Sequence, residues 1–253
     1  LKNEGYNVGK LPANPQELAK MIQAQGAVFG TYAEGAYTQF LQSGHPALVT
    51  AQQFAGWTQK ALSKKMIKEL NQLYGSFPGK YMATDDGKLA VARLQFGNVA
   101  LLPQVMAGVG GDSFKIVHGT DQAPPYTYVA SYLWARYGFS ADALIHFGTH
   151  GSLEYTPRKQ VALDSNDWSD RLIGVVPHLY IYTIGNVGEA MIAKRRTYAQ
   201  TQSYLTPPFK ESELRQTYKQ LSDAIQSYEK KASAEQSLKV KALTVKMGIA
   251  REL

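Results

Sequence analysis

A short apolar run, Ala143 to Ile145, breaks off at two glycines, Gly148 and Gly151, and this junction constrains the fold more than any other stretch. A run so brief, following a helical pattern, reads as the end of a buried strand. The glycines then interrupt any regular element. Ligands of open α/β sheets bind at the carboxyl ends of strands. At this strand end stand His146, His150 and Glu154, three groups able to hold a metal ion or move a proton, all within nine residues and followed by Arg158 and Lys159. The loop is therefore the expected site.

The remainder of the chain supplies helices and strands to surround it. Asn14-Pro15-Gln16-Glu17 offers a cap, a proline at the first helical position and an acid at the third, so a short helix is expected to run to Gly26. A second helix is expected over Glu34 to Leu41, closed by Ser43-Gly44. Over residues 50 to 74, Phe54, Trp57, Leu62, Met66, Leu70 and Leu73 fall near helical spacing, which predicts one or two amphipathic helices whose stripe is core. Strands are expected at Lys80 to Ala83, Leu89 to Phe96, Val99 to Leu102, Ile116 to His118, 143 to 147 and Leu179 to Ile184. Helices are expected over Tyr126 to Tyr137, for one turn over Ser169 to Ile173, and from Asn186 to about Tyr204, where Thr206-Pro207-Pro208 stops the last. From Glu211 onward two helical segments join near Lys231 to Ala234.

Strands separated by helices predict an α/β fold, a mixed or mostly parallel sheet covered by helices on both faces. The expected division is a helical segment over 1–76, an α/β core carrying the site over 77–208, and a helical segment over 209–253. The chain begins at Leu1 and reads as a piece of a longer protein.

Composition narrows the chemistry. With no cysteine, metal binding must use imidazole, carboxylate or backbone oxygen. No apolar run approaches the roughly 18 residues of a membrane span, and a cytoplasmic setting is expected. The net charge of +7 gathers around Lys60 to Lys68 and at Lys194-Arg195-Arg196. Neither cluster carries the strand-borne aromatics of a single-strand nucleic-acid platform, so no nucleic acid is expected, and anionic small molecules stay open. The glycine-rich stretch from Pro103 to Lys115 matches neither a dinucleotide fingerprint nor a phosphate-binding loop.

His146 and His150 are four apart, but Phe147-Gly148-Thr149 between them argues against a helix, so a shared face cannot be assumed. A strand end turning into a loop can still converge them. Glu154 lies between apolar neighbours, where burial would raise its pKa into the range of a base at neutral pH. Arg158 and Lys159 either clamp substrate carboxylates or are solvated loop charges. Of Lys194, Arg195 and Arg196, at least one must face away from the core. His178 and His118 follow or open strands and read more readily as structural, and His45 as a surface residue. The expectation that ties these together is geometric: two imidazoles and one carboxylate facing a common cleft.

Taken in order, His-Phe-Gly-Thr-His-Gly-Ser-Leu-Glu-Tyr (146–155), Leu-Ile-Gly (172–174), Pro-His-Leu-Tyr (177–180), Gly-Glu-Ala (188–190), Ala-Lys-Arg-Arg (193–196) and Tyr-Leu-Thr-Pro-Pro (204–208) resemble the large tetrapyrrole-binding subunit shared by cobaltochelatase CobN and magnesium chelatase. The likeness runs from about Phe77 to Pro208 and includes Phe96-Gly97-Asn98-Val99 and Pro124-Pro125. Such subunits are several times longer than this chain.

The resemblance implies binding of a porphyrin, haem or corrin and exchange of its central metal, Fe, Co or Mg. It implies Glu154, His146 and His150 as the reacting groups and metal ligands. It further implies Arg158, Lys159, Tyr126, His178 and Arg195 as contacts to the ring, and separate AAA+ subunits that hydrolyse ATP. The chain departs from the family at two places. Tyr126-Thr127 stands where paired histidines are common, and Pro157-Arg158-Lys159 stands where Pro-Gly-Lys is common. In this the pattern is most similar to CobN-like proteins of haem-uptake loci, for which the implied reaction is iron removal from haem. The alternative it leaves open is a protein that binds or delivers a tetrapyrrole without chemistry.

Overall fold

Helix Tyr126–Leu133 is apolar or small almost all round, and every residue in it except Tyr132 is buried. A helix of that composition can only be an interior one, and the fold is assembled around it. The computed structural model describes residues 1–25, 36–105, 122–148, 151–159, 161–181, 187–203 and 213–249. These divide into two compact units, Leu1–Tyr204 and Leu205–Leu253.

Local chemistry sets the element boundaries of the first unit. Helix α1 (Pro15–Gln23) starts where the Asn14 side chain accepts from the Glu17 amide at 2.8 Å, as the cap pattern predicts. After helix α2 (Ala36–Ser43) come α3 (Ala51–Ala61) and α4 (Lys64–Tyr74). A reciprocal Thr50–Gln53 capping box opens α3. The stripe over 50–74 is two helices because the Ser63 hydroxyl caps the Met66 amide and restarts the turn. Phe54, Trp57, Met66 and Leu70 are buried in a core shared with Leu133, Trp168, Leu172 and Ile173, so α3 and α4 pack on the same interior as the residues that follow. The central helix, α5 (Tyr126–Leu133), runs on as a π-helical turn, Trp134–Gly138. From that turn Arg136 donates to the carbonyls of Arg171 and Leu172 and closes the end of helix α6 (Trp168–Ile173).

Three sheets form. Strand β1 (Ala47–Val49), unforeseen in the sequence, pairs antiparallel with β2 (Leu89–Val91), and β3 (Leu94–Phe96) forms a hairpin with β4 (Val99–Leu101) about Gly97-Asn98. The third sheet is parallel, in the order β5 (Leu144–Phe147), β6 (His178–Ile181), β7 (Gln200–Gln202). The α/β class is therefore as expected.

Three expectations about elements are corrected. The single strand expected over Leu89 to Phe96 is two, β2 and β3, in different sheets. Lys80 to Ala83 forms no strand, only a single bridge from Ala83 to Leu89, because Met82 sits at φ 57 and cannot continue extended backbone. The helix expected to reach Tyr204 is α7 (Val187–Thr197); Tyr198 at φ 54 turns the chain out of it and into β7. The strand expected over 116–118, with His118, lies outside the described residues, as do Gly26 and Tyr204 themselves, the expected end points of two helices.

Cover on the parallel sheet is one-sided at β5. Leu144 and His146 point inward, whereas Ile145 and Phe147 are 52 % and 75 % exposed. In the second unit, α8 (Glu213–Lys230) and α9 (Ala234–Lys246) pack on each other, and Ser233 caps the latter through the Gln236 amide. Among the described residues no helix is long and apolar enough to cross a membrane.

Candidate functional site

The parallel register places His146 of β5 directly beside Tyr180 of β6, and the two rings stack with centroids 4.6 Å apart at 26°. Two residues back on the same face, His178 meets Tyr180 edge-on at 6.4 Å. This inner face is lidded by α7 and by the 3-10 turn Leu153–Tyr155, which pack on each other. Glu154 enters from that turn and is 1 % exposed.

The Tyr180 hydroxyl joins the elements. It lies 2.7 Å from Glu189 Oε1 on α7, 3.0 Å from Glu154 Oε1, and accepts the Gly151 amide hydrogen at 2.7 Å. Glu189, 3 % exposed, also accepts from Gly151 at 3.3 Å. A phenol carries one hydrogen, so it can donate to only one of the two carboxyls, and the shorter contact is to Glu189. The contact to Glu154 is a hydrogen bond when Glu154 is the protonated partner. Burial pushes the Glu154 carboxyl up to about 7, against smaller lowering effects of its own backbone amide and of the Tyr180 hydroxyl; Glu189 raises it and the Arg196 guanidinium lowers it by less still. Burial between two carboxyls likewise raises the Tyr180 phenol far above its ordinary value.

Gly151 leaves the Glu154 carboxyl its room at this point. A Cβ there would overlap both oxygens of the Glu154 carboxyl, so the backbone comes as close to the carboxyl as only glycine allows. Below the carboxyl, the Arg196 guanidinium, 1 % exposed, holds the turn by its backbone: Nη1 donates to the carbonyls of Glu154 at 2.5 Å and Thr156 at 2.6 Å, and Nη2 to that of Pro157 at 3.4 Å. On the other side the Tyr128 hydroxyl donates to Ser152 Oγ at 3.0 Å.

The residues anticipated from the sequence fall into distinct surroundings. Glu154 and His146 come together on Tyr180. His150 lies outside the described residues. Among the described residues no three His or carboxylate side chains converge as a metal site. His178 is buried with Nδ1 3.2 Å from the Thr197 carbonyl, and burial, reinforced by His146, lowers its pKa, so the neutral ring donates to that carbonyl. Arg158, at φ 93, pairs with Glu69 of α4, both about one-fifth exposed. Lys159 is exposed and pairs with Asp164 at 2.9 Å. Arg195 is exposed on α7 while its neighbour Arg196 is buried. Tyr126 is 3 % exposed among Phe54, Tyr74 and Phe77, with its hydroxyl 2.6 Å from Asn71 Oδ1 and 2.8 Å from the Gly75 carbonyl. The expected common cleft includes His150 and so falls in part outside the described residues. A cleft of about 480 Å³ lies elsewhere, lined by Leu41, His45, Pro46, Leu48, Thr84 and Arg93.

Sequence reasoning passed over Tyr180, Glu189 and Arg196 as site residues. The available signal for the first two was a tyrosine on the inward parity of a strand and an acid in the first turn of the following helix.

The CobN/Magnesium Chelatase family model matches residues 1–253. The chain is 37 % identical over 227 residues to the H-type magnesium-chelatase subunit of Rhodobacter capsulatus, covering 90 % of this chain and 18 % of that protein. It is 36 % identical over 230 residues to the chloroplastic magnesium-chelatase protein ChlH of Oryza sativa subsp. indica, covering 90 % and 15 %. With the aerobic cobaltochelatase protein CobN of Pseudomonas aeruginosa it shares 39 % identity over 128 residues, 51 % of this chain and 10 % of that one. The chain thus spans less than a fifth of the length of these relatives.

Proposed function

Because the chain belongs to the CobN/magnesium chelatase family, we propose that it is a segment of an enzyme that binds a tetrapyrrole and exchanges its central metal. The observation that carries the reading is a carboxyl, Glu154, buried on a glycine-hinged loop at the end of a parallel strand and poised near neutrality. Placing a divalent ion in a metal-free ring breaks two pyrrole N–H bonds as the nitrogen–metal bonds form, so two protons must leave. A base with a pKa near the working pH serves this best, and Glu154 is that base in this proposal. The metal ion is substrate; His146 and His150 are the imidazoles that would hold it in transit, a donor type suited to first-row divalent ions. Arg158, Lys159, Tyr126, His178 and Arg195 remain the proposed ring contacts. Of these Lys159 and Arg195 are exposed, while Arg158 would have to exchange Glu69 for a ring carboxylate.

Run in reverse, the same groups would protonate a metallated ring and receive the released ion. Removal of iron from haem is proposed on the two departures at Tyr126-Thr127 and Arg158. The proposed setting is cytoplasmic, with separate AAA+ subunits supplying any ATP hydrolysis and the rest of the parent chain completing the ring site. One observation favours a second reading, tetrapyrrole binding without chemistry: the Glu154 side chain is only 1 % exposed.

The whole protein, incubated with haem and separately with metal-free porphyrin plus Co²⁺ or Mg²⁺, distinguishes the two by absorption. Exchange is expected to convert one spectrum into the other over time, and Glu154→Gln is expected to abolish conversion while the spectral shift of ring binding persists. A binding shift with no conversion in any arm, with the proposed AAA+ subunits and ATP present, would transfer the assignment to the second reading, and unchanged turnover in Glu154→Gln would remove the carboxyl from the reaction.

A further inference from the structure

We propose that Glu189 is a positioning residue for the exchange reaction: it fixes the Tyr180 hydroxyl so that one phenol aligns both His146 and the Glu154 carboxyl. This rests on the reading of Glu154 and His146 given above. Glu189 stands in the first turn of α7, 3 % exposed, and among the described residues it reaches the site through Tyr180 and Gly151. Its Oε1 receives the Tyr180 hydroxyl at 2.7 Å and the Gly151 amide at 3.3 Å.

Each partner carries a different part of the site. The face of Tyr180 supports the His146 ring, so a rotation of the phenol moves the imidazole. The hydroxyl oxygen of Tyr180 touches Glu154 Oε1, so the direction of its single hydrogen sets what the carboxyl meets. The Gly151 amide belongs to the hinge where backbone and Glu154 carboxyl nearly touch. A buried carboxylate with two donors aimed at one oxygen is a rigid reference point, and supporting groups of this kind hold reacting side chains within the narrow tolerance that transfer steps need. In this proposal Glu189 acts through Tyr180, whose hydroxyl it receives.

The test compares Glu189→Gln, Glu189→Ala and Tyr180→Phe in the whole protein, with Glu154→Gln beside them, in the same spectral assay. Glutamine keeps an acceptor oxygen and is expected to hold kcat within about threefold of the parent. Alanine in place of Glu189 is expected to lower kcat roughly 10- to 100-fold with KM for the ring unchanged within about twofold. Tyr180→Phe keeps the ring stacked on His146 but loses the hydroxyl, and is expected to match Glu189→Ala, the double variant being no worse than either. Thermal melting identifies a variant that fails to fold; if Glu189→Ala does, the Tyr180→Phe and Glu189→Gln results decide. Damage by Glu189→Gln equal to that by Glu189→Ala, full activity in Tyr180→Phe, or a loss confined to KM would each overturn the proposal. Inactive Glu154→Gln beside unaffected variants of Tyr180 and Glu189 would sink this inference alone, whereas active Glu154→Gln would sink the site reading beneath it.

Discussion

Arg196 Nη1 donates to the backbone carbonyl of Glu154 at 2.5 Å, so the candidate base is gripped through its main chain by a guanidinium that has almost no access to solvent. The same nitrogen takes the Thr156 carbonyl, and the turn on which Glu154 sits is fixed from below. Arg196→Ala is expected to destabilise the fold by roughly 3 kcal/mol, because two carbonyls lose their donor inside the protein. Arg196→Lys is expected to recover only part of this, because an ammonium standing in for Nη1 leaves the Pro157 carbonyl without the donor that Nη2 supplies. Urea unfolding of the three proteins measures the differences; equal midpoints would show the grip to be without energetic weight.

Gly151→Ala is expected to displace the Glu154 carboxyl, since the new Cβ overlaps both of its oxygens. Overpacking of this kind costs about 1–3 kcal/mol. Metal exchange is expected to fall more steeply than stability, as the displaced group is the one proposed to take the proton. Full activity with an unshifted melting curve would contradict the close approach.

Stability is expected to depend on pH through Glu154. Burial raises its pKa from 4.5 to about 7, so the folded state favours the neutral carboxyl. The contribution is complete below the unfolded value and is lost as pH climbs through about 7. Linkage puts the loss at roughly 3 kcal/mol once the buried group is ionised. Glu154→Gln cannot ionise. The melting temperature of the variant relative to the parent is expected to rise by several degrees between pH 5 and pH 8. Parallel curves across that interval would mean that the carboxyl titrates normally.

Arg158 and Glu69 form a partly shielded pair that ties the loop after Glu154 to α4. A double-mutant cycle with alanine at both positions is expected to return a coupling near 1 kcal/mol. If Arg158 serves the ring by exchanging partners, Arg158→Ala weakens tetrapyrrole binding and Glu69→Ala strengthens it. Identical ring affinity in all three variants would leave Arg158 a structural tether.

Much of the architecture was legible because its signals act over a few residues. Asn14 before Pro15, Thr50 before Gln53 and the glycines after Phe147 each satisfy or break backbone hydrogen bonds within one turn, and the elements begin and end there. The strand at Leu144–Phe147 and the helical character of 51–74 followed from apolar spacing, whereas the apolar neighbours of Glu154 allowed its burial without requiring it. The end of α7 at Thr197 was not legible, since nothing local marks Tyr198 for a left-handed turn.

What tertiary structure decided was company. The sequence by itself determined an α/β chain with a chemically loaded loop at a strand end. It could not say that His146 would lie against Tyr180, because that depends on the register of two parallel strands separated by a long crossover. Nor could it choose among Lys194, Arg195 and Arg196, three consecutive cations of similar helix preference. Only the rotation of α7 against the Leu153–Tyr155 turn buries the third and leaves the second in water. Contacts across elements are settled by how surfaces pack, and packing depends on every neighbour at once.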